Sequence, residues 1–378
     1  MLINKLRQWN FDWSLFLIVA FLLAFGMLAI YSFSSSSLAT SGENIFLKQF
    51  YFLIIGLVLL FFFSWMDYHL FSSYSGGLYL LGNLLLLAVL FLGKEIRGTV
   101  GWFNFGWFNF QPAEAMKFFL IISLANFFSQ KGRAEGINLR LILISFIYLC
   151  LPLFLVLAQP DFGSAMALVA IWLGMIFLAG ATWKNLAGLF LIGLLAALLS
   201  WNFLLKDYQK KRVENFFYPE RDALGSGYNV IQSVVAIGSG GISGKGIGNG
   251  TQSQLNFLPE KHTDFIFAAV AESGGLLSSF LLLFLFWLLF WRFKKVLTRA
   301  PDPLGFLLVG GIEVMLFFQI LINIGMNLGL MPVAGLSLPF LSYGGSFLVL
   351  VLACLGIVQS VWKRRVAESV LKRNVFEF

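Results

Sequence analysis

The sequence predicts an all-α polytopic membrane protein, with about ten transmembrane helices and one long outer loop between spans seven and eight. Three observations predict it. Of 378 residues, 59% are hydrophobic, 17% aromatic and only 12% charged, whereas soluble domains run nearly half apolar and about a quarter charged. The apolar residues come in runs of about 20, the length a helix needs to cross the hydrocarbon core. The Lys and Arg residues concentrate in alternate loops. This composition excludes a cytosolic enzyme and a disordered chain alike. Cys150 and Cys354 both lie inside apolar runs and give neither a disulfide framework nor a zinc spacing.

The runs cover roughly 12–33, 46–65, 77–93, 113–130, 139–158, 162–181, 185–205, 264–291, 304–330 and 345–362. The first follows Lys5 and Arg7 but is too long for a signal h-region, so it reads as an uncleaved anchor. An even count puts both termini on one side. With them inside, most of the 26 Lys+Arg fall in short inner segments, and only Lys48, Lys94 and Arg97 fall in short outer loops. Cytoplasmic termini follow, with loop 206–263 outside and residues 1–378 forming a single transmembrane domain. The net charge of +8 then reports orientation and no nucleic-acid partner. The basic tail 363–373 could also touch anionic lipid.

Three outer segments break the apolar pattern. Loop 94–113 holds a tandem pentapeptide, Gly101–Phe105 repeated as Gly106–Phe110, whose Trp and Phe suit an aromatic belt in the headgroup region. Loop 206–263 contains a glycine-rich stretch that fails the Walker pattern, since Ser239 stands where its first Gly belongs and Gly246 follows Lys245. Its backbone N–H groups remain weak candidates for a diphosphate cradle. Residues 228–237 are apolar but too short to span, which predicts a short re-entrant or interfacial helix. Segment 331–345 has two prolines and no charge, and irregular backbone is tolerated at membrane depth where it lines a cavity.

Six ionisable residues sit in or at the ends of spans: Glu114, Lys117, Asp161, Asp264, Glu272 and Glu313. A charge at the bilayer centre costs about 2.5–3.5 kcal/mol or more, so each needs a partner or a wet cavity. Glu114 and Lys117 are spaced i, i+3 and can pair on one helix face, as a structural or a functional pair. Pro112 suits a first helical position and puts them near the outer end of their helix. Asp161 follows Gln159-Pro160 in an outer turn, where it is either a helix cap or a functional group. Asp264 opens the eighth span after Lys261, His262 and Thr263; a carboxylate at a helix N-terminus flanked by cations is arranged for proton or anion chemistry. Glu313, Gln319, Asn323 and Asn327 form a deeper polar stripe suited to interhelical hydrogen bonds. His69 and His262 lie on opposite sides and make no zinc set.

Together these segments resemble a known family. QPAEAMK (Gln111–Lys117), QPDFGSA (Gln159–Ala165), GYNVIQSVVAIGSGGISGKG (Gly227–Gly246), GTQSQLNFLPEKHTDFIFAAVAESGG (Gly250–Gly275) and INIGMNLGLMPVAGLSLPFLSYGGS (Ile322–Ser346) are similar, in order, to the SEDS family (FtsW/RodA/SpoVE). The compact termini resemble its elongation branch more than its division branch. The resemblance implies a peptidoglycan glycosyltransferase that polymerises lipid II outside the cytoplasmic membrane, for elongation and rod shape. It also implies a class B penicillin-binding protein transpeptidase as partner, among other membrane proteins of the elongation complex. The family's essential aspartate falls on Asp264. Its Glu and Lys fall on Glu114 and Lys117, and its QPD aspartate on Asp161. Lys261, Arg212, His262, Gln232 and Ser342 complete the expected substrate-binding set. The family commonly carries Arg-Trp after the third span; here Gly101 precedes Trp102, and the nearest arginine is Arg97.

Joining lipid II units with inversion needs a base for the incoming hydroxyl but no strong acid, because diphosphate leaves as a stable anion. Asp264 is the expected base, with Lys261, Lys117 and Arg212 as cations toward the leaving group. No cofactor is implied with certainty, although a divalent cation (Mg or Mn) on Asp264 could take the cationic role. Two rival readings are a lipid II flippase, which needs polar groups through the whole depth, and a non-catalytic scaffold.

Overall fold

A computed structural model describes residues 11–34, 45–96, 99–130, 137–203, 210, 214, 216–222, 226–255 and 257–375. The chain is mostly helical. Helices α1 (Trp13–Ser34), α2 (Ile45–Trp65), α3 (His69–Ser73) and α4 (Ser75–Leu92) lead into strands β1 (Lys94–Ile96), β2 (Thr99–Asn104) and β3 (Asn109–Phe110). Then come α5 (Pro112–Gln130), α6 (Leu139–Ala158), α7 (Phe162–Leu178), α8 (Trp183–Phe203), α9 (Ser226–Ser239), α10 (Thr251–Gln254), α11 (Ile266–Leu297), α12 (Pro303–Asn327) and α13 (Gly345–Val375). A long helix thus answers each predicted apolar run. Among the described residues, seven of them (α1, α2, α4, α6, α11, α12 and α13) are long and apolar enough to cross a membrane.

Burial sorts these helices. In α12 and α13, 61% and 78% of the spanning window is buried, against 22–33% in α1, α2, α4, α6 and α11. The central helices carry the site's supports, and the outer ones turn Phe and Leu outward. The start of α12 shows how local chemistry sets an end: Asp302 caps it by accepting from Gly305 N–H at 2.7 Å, and Pro303 supplies the first turn.

The all-α expectation needs two corrections. Residues 94–96 and 99–110 form a three-stranded antiparallel meander, β1-β2-β3, within the otherwise helical chain. The tandem repeat folds back on itself, pairing Phe103 with Phe110 and Asn104 with Asn109. Gly106 turns the corner at φ +88°, its N–H donating to Asn104 Oδ1 at 2.9 Å, a conformation that favours Gly.

The eighth span is broken. Gly275 has φ +66° inside α11, so the helical hydrogen-bond ladder lapses there. The glycine-rich loop fills the gap: Lys245 and Gly246 N–H donate to the Glu272 and Ser273 carbonyls, at 3.0 and 2.9 Å. In return Leu276 and Leu277 N–H donate to Gly241 and Ile242 carbonyls. The diphosphate cradle considered for this loop is therefore spent, at Lys245 and Gly246, on the broken helix.

Candidate active site

At one end of the bundle, a cavity of about 560 Å³ is lined by α2, the meander, the starts of α5, α7 and α13, the turn 262–264 and segment 333–344. Sequence-distant carboxylates meet on its wall. Glu114 comes from α5, Asp161 from the α7 cap and Asp264 from the turn before α11, with His262 beside them.

Asp264 is held through its backbone. Its carbonyl accepts from Asn323 Nδ2 and Asn327 Nδ2, each at 3.0 Å, while Asn323 also donates to the Leu336 carbonyl at 2.7 Å. Asn323 and Asn327 are fully buried. Two residues of the "deeper stripe" therefore position the turn, an assignment the i, i+4 spacing of the asparagines allowed but did not single out. Ser342 Oγ donates to the Thr263 carbonyl at 2.6 Å, and Tyr343 N–H to the His262 carbonyl at 2.7 Å. On the far side Gly335, at φ +67°, brings the backbone close: a Cβ there would lie 3.8 Å from Asp264 Oδ2.

The expected setting of Asp264 is corrected in one respect. Helix α11 starts at Ile266 with Phe265 as its cap, so Asp264 lies in the preceding turn and does not open the helix. Lys261, expected beside it, donates its ammonium to the Ser253 carbonyl and does not line the cavity. Burial lowers the Lys261 pKa from its ordinary value, partly offset by the Glu272 charge.

Asp161 is both cap and wall. Its Oδ1 accepts from Ser164 N–H and its Oδ2 from Gln111 Nε2, each at 2.9 Å. The close packing of α7 onto segment 333–336 needs Gly163, where a Cβ would come within 2.1 Å of the Ala334 carbonyl oxygen. Glu114 and Lys117 form the predicted i, i+3 pair at 2.7 Å, with the Lys117 side chain wholly buried. Only Glu114 reaches the cavity; Lys117 sits behind the wall, 5.8 Å from the Phe347 ring centroid.

Four residues of the expected substrate-binding set thus miss the cavity wall: Lys117 and Lys261, as above, Gln232 on α9, and Ser342, whose hydroxyl is committed to the Asp264 turn. Arg212 and Arg97 lie outside the described residues. Lys48, which the charge pattern assigns only to topology, is the one Lys or Arg on this wall among the described residues. Trp102 and Trp107 line the cavity as well. At Gly101 a Cβ would lie 3.3 Å from Gln159 Oε1, which has no hydrogen-bond donor among the described residues.

Glu272 proves to be a clasp, wholly buried. It accepts from Gln252 and Ser253 N–H at the start of α10, at 2.8 and 2.9 Å, and pairs with Lys245 at 3.0 Å. Among the described residues, no group of three or more His, Cys, Asp or Glu could hold a metal ion.

The model of the family described as Cell cycle protein (FtsW/RodA/SpoVE) matches residues 12–366. The chain is 37% identical over 367 residues to peptidoglycan glycosyltransferase MrdB of Escherichia coli, covering 96% of this chain and 97% of that one. It is 36% identical over 356 residues to stage V sporulation protein E of Bacillus subtilis, covering 93% and 96%. Among solved structures it is similar to a chain of a peptidoglycan synthase complex that coordinates polymerization and crosslinking, with TM-score 0.80, 33% identity and coverage of 94% and 98%. It is also similar to rod shape determining protein RodA of Thermus thermophilus, with TM-score 0.69, 30% identity and coverage of 94% and 97%. A match across nearly all of the chain, by sequence and by fold, places this protein in the FtsW/RodA/SpoVE family.

Proposed function

We propose that this multi-pass membrane protein, a peptidoglycan glycosyltransferase like its relatives, polymerises lipid II in the cavity described above, with Asp264 as the base. The observation that carries the reading is the meeting of Asp264, Asp161 and Glu114, from segments up to 150 residues apart, on one wall of about 560 Å³. That volume is within the range of ligand sites and suits the reacting sugars better than a whole lipid-linked molecule.

In the proposed step the 4-hydroxyl of one lipid II attacks the anomeric carbon of the growing chain. Its proton passes to the Asp264 carboxylate, and undecaprenyl diphosphate leaves from the opposite face. The new C–O bond forms as the old one breaks, with one inversion from α to β-1,4. Rigid support of the turn, by Asn323, Asn327 and Ser342, keeps the base in place without spending binding energy at the moment of reaction. Glu114 and Asp161 are suited to accept hydrogen bonds from sugar hydroxyls, and His262 lies beside them. Lys48 is the described cation best located for the leaving diphosphate. Lys117, Lys261 and Ser342 act behind the wall. The described residues do not fit a site in which protein ligands alone hold a divalent cation, and no step is routed through one.

The topology belongs to the same reading: ten spans, α9 lying in or re-entering the interface, one membrane domain, both termini cytoplasmic and the cavity facing outward from the bacterial inner membrane. A class B penicillin-binding protein is the proposed partner; the likeness to a chain of a synthase complex supports it. The test is polymerisation of purified lipid II by the wild type, Asp264→Asn and Asp264→Ala, each with and without a cognate transpeptidase. Glycan from the wild type alone, lost in both variants, is expected. Full activity in either variant, or scrambling of labelled lipid II without polymer, overturns the assignment.

A further inference from the structure

The opposite end of the bundle holds charge that the reaction does not use. Arg292 and the nearby Arg299 follow the apolar part of α11, and Arg365 ends the apolar run of α13. All three converge on the buried indole of Trp362, their guanidinium carbons 4.6, 5.8 and 2.9 Å from its ring centroid. Like charges packed this closely repel one another in a poorly screened setting. The acid paired with the cluster among the described residues is Asp12, bound to Arg292 Nε at 2.6 Å. Among the described residues one carboxylate faces three guanidinium groups. Arg365 Nε is also buried with no hydrogen-bond acceptor among the described residues.

We infer that Arg292, Arg299 and Arg365, gathered around Trp362, bind the phosphate of an anionic membrane phospholipid. The chemistry fits a phosphodiester, which accepts paired guanidinium hydrogen bonds and supplies a further negative charge. The depth fits a headgroup and not a free ion, because the cluster begins where the apolar runs of two helices end. Arg299 is exposed and Arg292 partly so, which leaves the cluster accessible from the surface.

The test is native mass spectrometry of the whole protein in detergent, titrated with phosphatidylglycerol or with phosphatidylcholine. The wild type is expected to retain one phosphatidylglycerol about tenfold more tightly than phosphatidylcholine. The double variant Arg299→Gln/Arg365→Gln is expected to lose that preference, and Arg299→Gln alone, at an exposed position, to weaken it without changing the melting temperature. Lys294→Gln, an exposed change on the same end, is expected to keep it. Retention of the preference in the double variant overturns the inference. So does an equal loss in Lys294→Gln, which would mean diffuse surface charge. Thermal protection by inorganic phosphate equal to that by phosphatidylglycerol would overturn the lipid assignment.

Discussion

The two ends of the bundle place the same residue types in different settings. At the end holding Asp12 and Asp302, charges close across helices. Asp12 joins α1 to Arg292 of α11, while Asp302 takes the Tyr68 hydroxyl and His69 Nε2, the latter at 3.0 Å. Arg364 of α13 pairs with Asp67 at 3.2 Å. At the cavity end Glu114, Asp161 and Asp264 border a hollow. Where acids meet bases across helices they fix helix positions; Glu114 and Asp161, bonded locally to Lys117, Gln111 and the Ser164 N–H, also border a space open to a substrate.

The sharpest way to break this contrast is at Asp264. Asp264→Asn should lower lipid II polymerisation at least about 100-fold, as loss of a general base does, with the melting temperature unchanged; a large drop in stability instead would make it structural. Second are the buried pairs. Arg292→Ala strands the buried Asp12 carboxylate, and Glu114→Gln strands the buried Lys117 ammonium, each costing about 3–5 kcal/mol and visible as a lower melting temperature. Activity per folded molecule should survive Arg292→Ala and fall in Glu114→Gln, because only the latter touches the cavity. Third, Lys48→Met should reduce kcat/KM about tenfold, roughly 1.4 kcal/mol of transition-state stabilisation, and Lys48→Arg should recover most of it; equal rates in all three proteins would remove Lys48 from the reaction.

The smallest effect lies at Asp67, on the end away from the cavity. Burial works to raise the Asp67 carboxyl, but hydrogen bonds from His69 and the Arg364 charge outweigh it and hold the pKa below the ordinary 3.8. A depressed folded pKa stabilises above the unfolded value and is lost as pH falls through about 4 and below. Because the side chain is 47% exposed, the loss should stay under about 1 kcal/mol. Melting curves between pH 5 and pH 3 should show the wild type losing slightly more than Asp67→Asn.

Helix positions were legible because a run of about 20 apolar residues has few other uses. The gathering of Glu114, Asp161 and Asp264 was also legible, since alternating spans assign each loop to a side. Side-chain direction was not. Nothing in the spacing of Lys261 and Asp264 indicates that the ammonium turns to Ser253, and nothing in Lys117 indicates that burial withdraws it behind Glu114. Lys48 went unnoticed because a lone lysine before an apolar run reads as topology. The meander was hidden by its composition, as a Trp- and Phe-rich repeat satisfies both an interfacial segment and a hairpin until the register Asn104–Asn109 is known.

The break at Gly275 bears on how this chain tolerates change. Surface loops ordinarily accept insertions, but the stretch from Gly241 to Gly246 trades four backbone hydrogen bonds with α11. One added residue there would throw all four out of step and loosen the helix that leads back to Asp264. That portion of the longest loop has a fixed length, and its tolerance for indels should be that of a core strand.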